Sequence, residues 1–149
     1  MTMKFIIIAW IQIFSAEYKL DPVLVEAIVR TESQYDYTAT GGIGEIGLMQ
    51  MRHEYLKNPK KYYNPYQNLK EGIARLAELK RLQKQLGPYW FVAWNMGVTG
   101  ALKYHKKHGI KNFPYGKKVF KNYYVIKKER QNRPLPQQIQ TASYNPPLR

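Results

Sequence analysis

The sequence predicts a single, mainly α-helical domain with little or no β-structure. A chain of 149 residues with 44% hydrophobic content can bury one modest core, which suits one domain rather than two. Apolar residues recur at helical spacing in several segments. The absence of cysteine removes a disulfide framework and any thiolate site. Glycines at positions 41, 42, 44 and 47 predict a turn or small hairpin between helices.

The chain begins with the apolar run MTMKFIIIAWIQIF, which is too short to span a membrane but long enough for the core of a signal peptide. Cleavage after Ala16 would require a small residue where Phe14 stands. Helical spacing relates four apolar residues: Ile7, Trp10, Ile11 and Phe14. We therefore expect a first helix that packs into the core.

A second helix is predicted in YKLDPVLVEAIVRTES. Asp21 can cap it, Pro22 suits its first turn, and we expect it to end near Ser33. Its apolar stripe consists of Leu24, Val25 and Ile28. Four residues after Ile28, Glu32 falls on the same face, so its carboxyl group is predicted to point inward.

An inward carboxyl group at Glu32 predicts acid catalysis. Burial disfavours ionisation, which raises the pKa and keeps the group protonated enough near neutrality to act as a general acid. The alternative is an ordinary glutamate at a fraying helix end. The glycine-rich stretch that follows favours the catalytic interpretation, because backbone without side chains can approach a ligand closely.

These residues resemble the motifs of the soluble lytic transglycosylases, a family with a lysozyme-like domain. The first motif is matched by Glu32, Ser33, Tyr35, Asp36, Ala39 and Gly44, and the second by the run Gly47-Leu48-Met49-Gln50. The segment YNPYQNLKEGIARLAELK is similar to the family's Asn-Pro-x-x-Asn stretch, and FVAWNMGVTGALKY to its Ala-Tyr-Asn-x-Gly motif. The resemblance covers residues 18–104, and four short motifs in the family's order make it specific.

The resemblance implies a fold, a reaction and a set of site residues. Glu32 would be the single acid and base that cuts the β-1,4 bond between N-acetylmuramic acid and N-acetylglucosamine in peptidoglycan, leaving 1,6-anhydro ends. Ser33, Gln50 and Asn95 would contact the glycan, and Met49 would form an apolar wall of the groove. Helix capping and core filling are the alternatives for Gln50, Asn95 and Met49, above all for Met49.

Two positions depart from the family pattern. Gly41 replaces a serine thought to orient the acid or the acetamido group, although Thr38 or Thr40 could supply a hydroxyl. Glu45 replaces an alanine and adds an acidic group near the cleft. If this carboxylate held a water opposite Glu32, the outcome would be hydrolysis with inversion, as in goose-type lysozymes. A solvated loop glutamate is the preferred interpretation.

A loop and then a helix from about Lys117 are predicted within residues 109–132. One face of this helix carries Val119, Tyr123 and Ile126. The family has a tyrosine here that reaches the acid. An ungapped match places Phe120 at that position, whereas a small insertion places Tyr123 or Tyr124 there. We select Tyr124, with core packing as the alternative.

Neither a metal nor another cofactor is predicted. His105 and His108 could both touch a metal, but no third ligand is evident and the surrounding lysines repel cations.

Positive charge is concentrated in the last third of the chain. Residues 1–98 carry twelve Lys and Arg against nine Asp and Glu, for a net charge of +3, whereas residues 99–149 carry twelve against one, for +11. Such a surface suits an anionic cell wall, lipid or nucleic acid, or serves only to solubilise the chain. We expect residues 1–132 to form the domain. Residues 133–149, with the sequence RPLPQQIQTASYNPPLR, are expected to be a disordered polar tail.

Three functions follow from these patterns. The first is a peptidoglycan-cleaving enzyme acting at the bacterial cell wall, for example as a component of a phage virion. The second is a structural or glycan-binding virion protein with a weakened site, which Gly41 and the tail favour. The third, a nucleic-acid binder, is favoured by charge alone and lacks a reading motif. Partners would be glycan strands, and a virion or envelope protein at the basic third and tail.

Overall fold

The computed structural model describes residues 2–52 and 56–142. Seven helices of these residues are α1 Met3–Glu17, α2 Pro22–Ser33, α3 Pro65–Leu79, α4 Gln83–Leu86, α5 Ala93–His108, α6 Pro114–Asn132 and α7 Gln137–Ala142. Short 3-10 turns precede α3, α4, α5 and α6. In the described ranges there is no named strand, and two isolated bridges, Thr40 with Ile46 and Ile46 with Met51, form the predicted turn at the glycines. The mainly α prediction is confirmed.

The first helix belongs to the core, as predicted. Ile7 and Ile11 are fully buried and Phe14 is nearly so, while Trp10 packs against them from a half-buried position. Helix α1 contacts both α2 and α3. No helix in the described part of the chain is long and apolar enough to cross a membrane.

Helix α2 has the bounds that its sequence predicts. The Asp21 side chain accepts a hydrogen bond of 2.9 Å from the backbone N–H of Val23, and proline occupies the first turn. After Ser33, Gln34 and Tyr35 both adopt left-handed backbone conformations, which ends the helix abruptly. The carboxyl group of Glu32 is thereby carried at the last turn of a well-defined helix.

Charged side chains fasten α2 to α6. Glu26 is only 1% exposed and accepts hydrogen bonds from the Tyr35 hydroxyl, at 2.6 Å, and from Arg130. Arg30 pairs with Glu129 at 2.9 Å. A buried carboxylate is costly without such partners, so these contacts fix the position of α2 on α6.

Helix α6 begins earlier than predicted. It starts at Pro114 rather than near Lys117, because proline at the first helical position has a fixed φ and lacks only an N–H that would have no helical partner. Val119 and Ile126 are fully buried, and the Tyr123 hydroxyl donates to Asp21, so the predicted inner face of this helix is confirmed.

Asn68 of α3 holds the glycine-rich loop in place. Its side chain is fully buried, its Oδ1 accepts from the N–H of Met49 at 2.9 Å, and its Nδ2 donates to the carbonyls of Ile46 and Tyr62 at 2.9 and 3.0 Å. All three partners are backbone groups. The second asparagine of the Asn-Pro-x-x-Asn stretch is therefore structural.

Residues 133–142 differ from the predicted tail. Helix α7 forms at Gln137–Ala142 and contacts α1, and Ile139 is only 5% exposed. The proline-rich composition does not predict this short helix, because its one isoleucine, Ile139, gives no periodic apolar pattern. The rest of the predicted tail, residues 143–149, lies outside the described residues.

Candidate active site

A polar cleft of about 250 Å³ lies at the last turn of α2. It is lined by Glu32, Gly41, Gly42, Glu45, Gln50, Arg52, Trp94 and Asn95. The cleft thus brings together α2, the glycine-rich loop and the start of α5. A larger groove of about 720 Å³ lies between α1 and the segment after α6, and Glu32 does not line it.

Glu32 is half-buried in this cleft, and its environment raises the pKa to about 7. Burial is the largest cause of the rise; an interaction with the Tyr115 hydroxyl lowers the pKa, the negative charge of Glu45 raises it, and the positive charge of Lys118 lowers it. A carboxyl group with this pKa is about half protonated at neutral pH. It can therefore donate a proton and later accept one.

Tyr115, in the first turn of α6, interacts with the carboxyl group of Glu32. Its hydroxyl is buried without a well-aligned hydrogen bond in the described structure, and its pKa lies well above the ordinary value because of burial and the neighbouring Glu32. The selection of Tyr124 is wrong, since that side chain is 65% exposed and does not line the cleft. Tyr115 directly follows Pro114, outside the family spacing, so motif matching missed it.

Glu45 belongs to the cleft lining rather than to an open solvated loop. Its Oε2 accepts a hydrogen bond of 3.1 Å from the N–H of Ile43. The same oxygen would lie 2.2 Å from a Cβ atom placed on Gly41. The carboxylate therefore occupies the space that a side chain at position 41 would fill.

The two threonines near Gly41 do not replace the missing serine. The Thr38 hydroxyl donates to the Asp36 carboxylate at 2.6 Å, and the Thr40 hydroxyl pairs with that of Tyr63 at 2.7 Å. Neither residue lines the cleft. The suggestion that one of them supplies the hydroxyl is wrong.

Gln50 and Asn95 both line the cleft, as the resemblance implied. The Nε2 of Gln50 donates to the carbonyls of Gly47 and Ala39, at 2.9 and 3.3 Å. Its backbone has a φ of 52°, a left-handed conformation that side chains other than glycine adopt at a cost. The backbone carbonyl of Asn95 accepts a 3.0 Å hydrogen bond from Arg52.

Met49 and Ser33 do not contact the cleft, so these two predictions are wrong. Met49 is fully buried and its sulfur fills the space above Gly72, where a Cβ atom would lie 2.5 Å away. The Ser33 hydroxyl donates to the carbonyl of Val29 inside α2 at 3.1 Å. Packing holds the side chain of Met49 in the core, and a local hydrogen bond holds that of Ser33 against its own helix.

Trp94 is a cleft residue that the sequence reasoning did not single out. It stands where the family motif has tyrosine, and its Nε1 donates to the carbonyl of Met49 at 3.0 Å. This bond anchors one edge of the ring to the loop that carries Gln50, while the indole remains half-buried at the cleft. An indole can stack on the apolar face of a sugar.

The two histidines considered as metal ligands lie at the end of α5. The Nδ1 of His105 accepts from the N–H of Ile110 at 3.1 Å, and His108 packs on Tyr104. Within residues 2–52 and 56–142, His, Asp and Glu side chains form no group of three that could hold a metal ion.

Comparison with known proteins shows the family of this chain. A family model described as Transglycosylase SLT domain matches residues 9–115, from α1 to the start of α6. A relative from Enterobacteria phage PRD1, described as "Transglycosylase", is 36% identical over 119 residues, which are 75% of this chain and 41% of that protein. The chain therefore spans under half the length of this relative. No solved structure gives a significant match.

The helical fold and the family match define a lysozyme-like domain. The chain belongs to the transglycosylase SLT family.

Proposed function

We propose that this protein is a lytic transglycosylase of peptidoglycan, with Glu32 as its single acid and base. The bond cut is the β-1,4 link between N-acetylmuramic acid and N-acetylglucosamine. One observation carries the proposal: a half-buried carboxyl group with a pKa of about 7 faces a polar cleft at the last turn of α2.

In the first step, protonated Glu32 gives its proton to the glycosidic oxygen. The oxygen of the 2-acetamido group attacks C1 as the glycosidic bond breaks, so the leaving sugar departs with a neutral hydroxyl group. Because the substrate supplies this nucleophile, the enzyme needs no carboxylate for it. Glu32 is left ionised.

In the second step, the C6 hydroxyl oxygen of the muramic residue attacks C1 and the bond from the acetamido oxygen to C1 breaks. Ionised Glu32 accepts the hydroxyl proton, which restores the acid for another cycle. The product is a 1,6-anhydromuramic end. Attack within one sugar outcompetes water because the two reacting atoms are held together at high effective concentration.

The other cleft residues support these steps. Tyr115 interacts with the carboxyl group of Glu32 and limits its pKa rise. Gln50 and Asn95 offer polar contacts to the sugar, and Trp94 offers an indole surface. The family match supports peptidoglycan as the substrate, and the 2-acetamido group of this glycan provides an internal nucleophile.

Digestion of purified sacculi by the wild type and by Glu32→Gln tests the proposal. The amide keeps the shape of the side chain but cannot donate the proton, so release of soluble fragments should fall by about a hundredfold or more. Glu78→Gln, at an exposed position of α3, is the matched control and should retain activity. Glu32→Gln with native helicity and more than a tenth of wild-type turnover, a limit set by the usual size of acid catalysis (~100-fold), would refute Glu32 as the acid.

We further propose that the protein acts on the bacterial wall as a phage protein carried in the virion. The origin of the PRD1 relative supports a phage source. The basic last third of the chain would favour approach to anionic wall polymers or to a virion or envelope protein. Mass spectrometry of intact virions, with a late non-virion protein as control, tests this placement.

Hydrolysis with Glu45 as a second carboxylate is the other candidate. The position of Glu45 in the cleft, beside Gly41, supports hydrolysis as a candidate reaction. The two candidates differ in their products, since only hydrolysis adds water to C1.

A further inference from the structure

The two departures from the family motif meet at one place in the cleft. Where the family pattern has serine and alanine, this chain has Gly41 and Glu45. The N–H of Gly41 donates to the carbonyl of Glu45 at 2.8 Å, so the two residues face each other across the turn. The absence of a side chain at Gly41 leaves room for the longer side chain of Glu45.

Two acceptor oxygens converge on the space above Gly41. A Cβ atom placed there would lie 2.2 Å from Oε2 of Glu45 and 2.6 Å from Oε1 of Gln50. The N–H of Ile43 holds the first oxygen, and the Nε2 bonds of Gln50 orient the second. Both side chains line the cleft, where a donor group on a ligand can approach their oxygens.

We propose that the Glu45 carboxylate accepts a hydrogen bond from the 2-acetamido N–H of the sugar whose C1 is attacked. This inference rests on the proposed function and adds a substrate-positioning residue to it. Gln50, a neutral acceptor, supports the same amide or a neighbouring hydroxyl.

The chemistry explains why a carboxylate serves here. As the acetamido oxygen bonds to C1, positive charge develops on the amide and its N–H becomes a stronger donor. A carboxylate acceptor forms a charge-assisted hydrogen bond, which is stronger than one to a neutral hydroxyl. The interaction strengthens as the charge develops, so it accelerates the step rather than only tightening binding. The proton stays on nitrogen throughout.

The charge of Glu45 also acts on Glu32. Burial raises the pKa of Glu32 most and the negative charge of Glu45 raises it further, whereas Tyr115 and Lys118 lower it. Removing this charge should therefore move the alkaline limb of the pH–activity profile to lower pH. A glutamate whose charge does not reach Glu32 would leave that limb unchanged when replaced by glutamine.

The first test compares Glu45→Gln and Gly41→Ala with the Glu78→Gln control. We expect both cleft variants to lose about tenfold or more in turnover, as on removal of one preorganised electrostatic contact. The backbone of Gly41 does not have a positive φ, so alanine fits the chain but displaces the flexible carboxylate of Glu45. Helicity and the mid-point of thermal unfolding should stay near those of the wild type.

The second test rebuilds the family pattern with Gly41→Ser and Glu45→Ala. Each single change should reduce turnover, because serine collides with the carboxylate and alanine removes the acceptor. The double variant should exceed both single variants, since the hydroxyl then has room and replaces the acceptor. Additive losses in the double variant would overturn the proposal.

The outcomes separate this inference from the proposed function. Wild-type turnover in folded Glu45→Gln and Glu45→Ala, with Glu32→Gln inactive, would overturn the role of Glu45 alone. If Glu45→Gln forms fewer reducible ends and unchanged anhydro ends, Glu45 activates water. That result would also overturn the proposed role of Glu45.

A binding measurement covers the case in which no wild-type cleavage is seen. An oligomer of N-acetylglucosamine is titrated into Glu32→Gln and into Glu32→Gln/Glu45→Gln by calorimetry. Weaker binding by the second variant supports the acetamido contact, and equal binding overturns it.

Discussion

At the residue scale, the proposed mechanism depends on the ionisation of Glu32. Only the protonated form can start the reaction, and the protonated fraction falls as pH rises through the pKa of about 7. We expect the turnover of bound substrate to decline above that pH, with one proton involved. A profile flat from pH 6 to 9 would contradict a general acid with this pKa.

The same pKa links stability to pH. The folded-state pKa of Glu32 is raised from its ordinary value of 4.5 to about 7, so its contribution to stability is full below pH 4.5 and is lost as pH rises through about 7. Glu32→Gln cannot ionise and escapes this loss. The free energy of unfolding of the variant, minus that of the wild type, should therefore be up to about 3 kcal/mol larger at pH 8 than at pH 4. Urea unfolding at the two pH values measures the difference, and equal differences would contradict it.

The sequence predicts some site residues well and others poorly for physical reasons. Glu32 follows from helical periodicity, which is local. Met49 is buried and Tyr115 reaches the acid because of packing between segments that are distant in the chain. Spacing in one sequence does not encode those contacts.

At the element scale, the glycine-rich loop depends on α3. Asn68→Ala would leave the N–H of Met49 and two carbonyls without their buried partner. We expect a loss of about 3 kcal/mol in the free energy of unfolding, with reduced cleavage because the loop carries Gln50. Chemical denaturation measures it, with the exposed Glu78→Ala in the same helix as control. A change below about 1 kcal/mol would contradict this role of Asn68.

Element bounds were predictable where their signals are local. Asp21 and Pro22 mark the start of α2, and the structure confirms both. The start of α6 lies earlier than the sequence predicts, because proline is common both in loops and at a first helical position. The sequence does not predict helix α7, because its one isoleucine, Ile139, gives no periodic apolar pattern.

At the scale of the whole molecule, the catalytic unit should survive loss of the chain after Asn132. None of the residues that line the cleft lies beyond Asn95. Removing residues 133–149 should cost about 2 kcal/mol, chiefly through exposure of the site where Ile139 packs, and leave cleavage near wild type. Ile139→Ala is the matched point variant. A folded truncated chain without cleavage would contradict the division of the chain at 132.

The fold class was predictable because several independent signals agree. Helical periodicity and the glycine cluster indicate a mainly α domain with a turn, and the four ordered motifs resemble those of a lysozyme-like family. The family match covers residues 9–115. The substitutions at Gly41 and Glu45 were visible in the sequence, but their shared space became apparent only in three dimensions.

The most direct test of the account is cleavage of peptidoglycan in water enriched in oxygen-18, followed by mass analysis of the released muropeptides. Attack by the C6 hydroxyl brings in no water, so we expect anhydromuramic ends that are one water lighter than hydrolysed ends and carry no label. A parallel digestion of the same peptidoglycan by a lysozyme from another source provides the labelled control. Mainly reducible ends that carry the label would contradict the account and show that this site, with Glu32 and Glu45, hydrolyses its substrate.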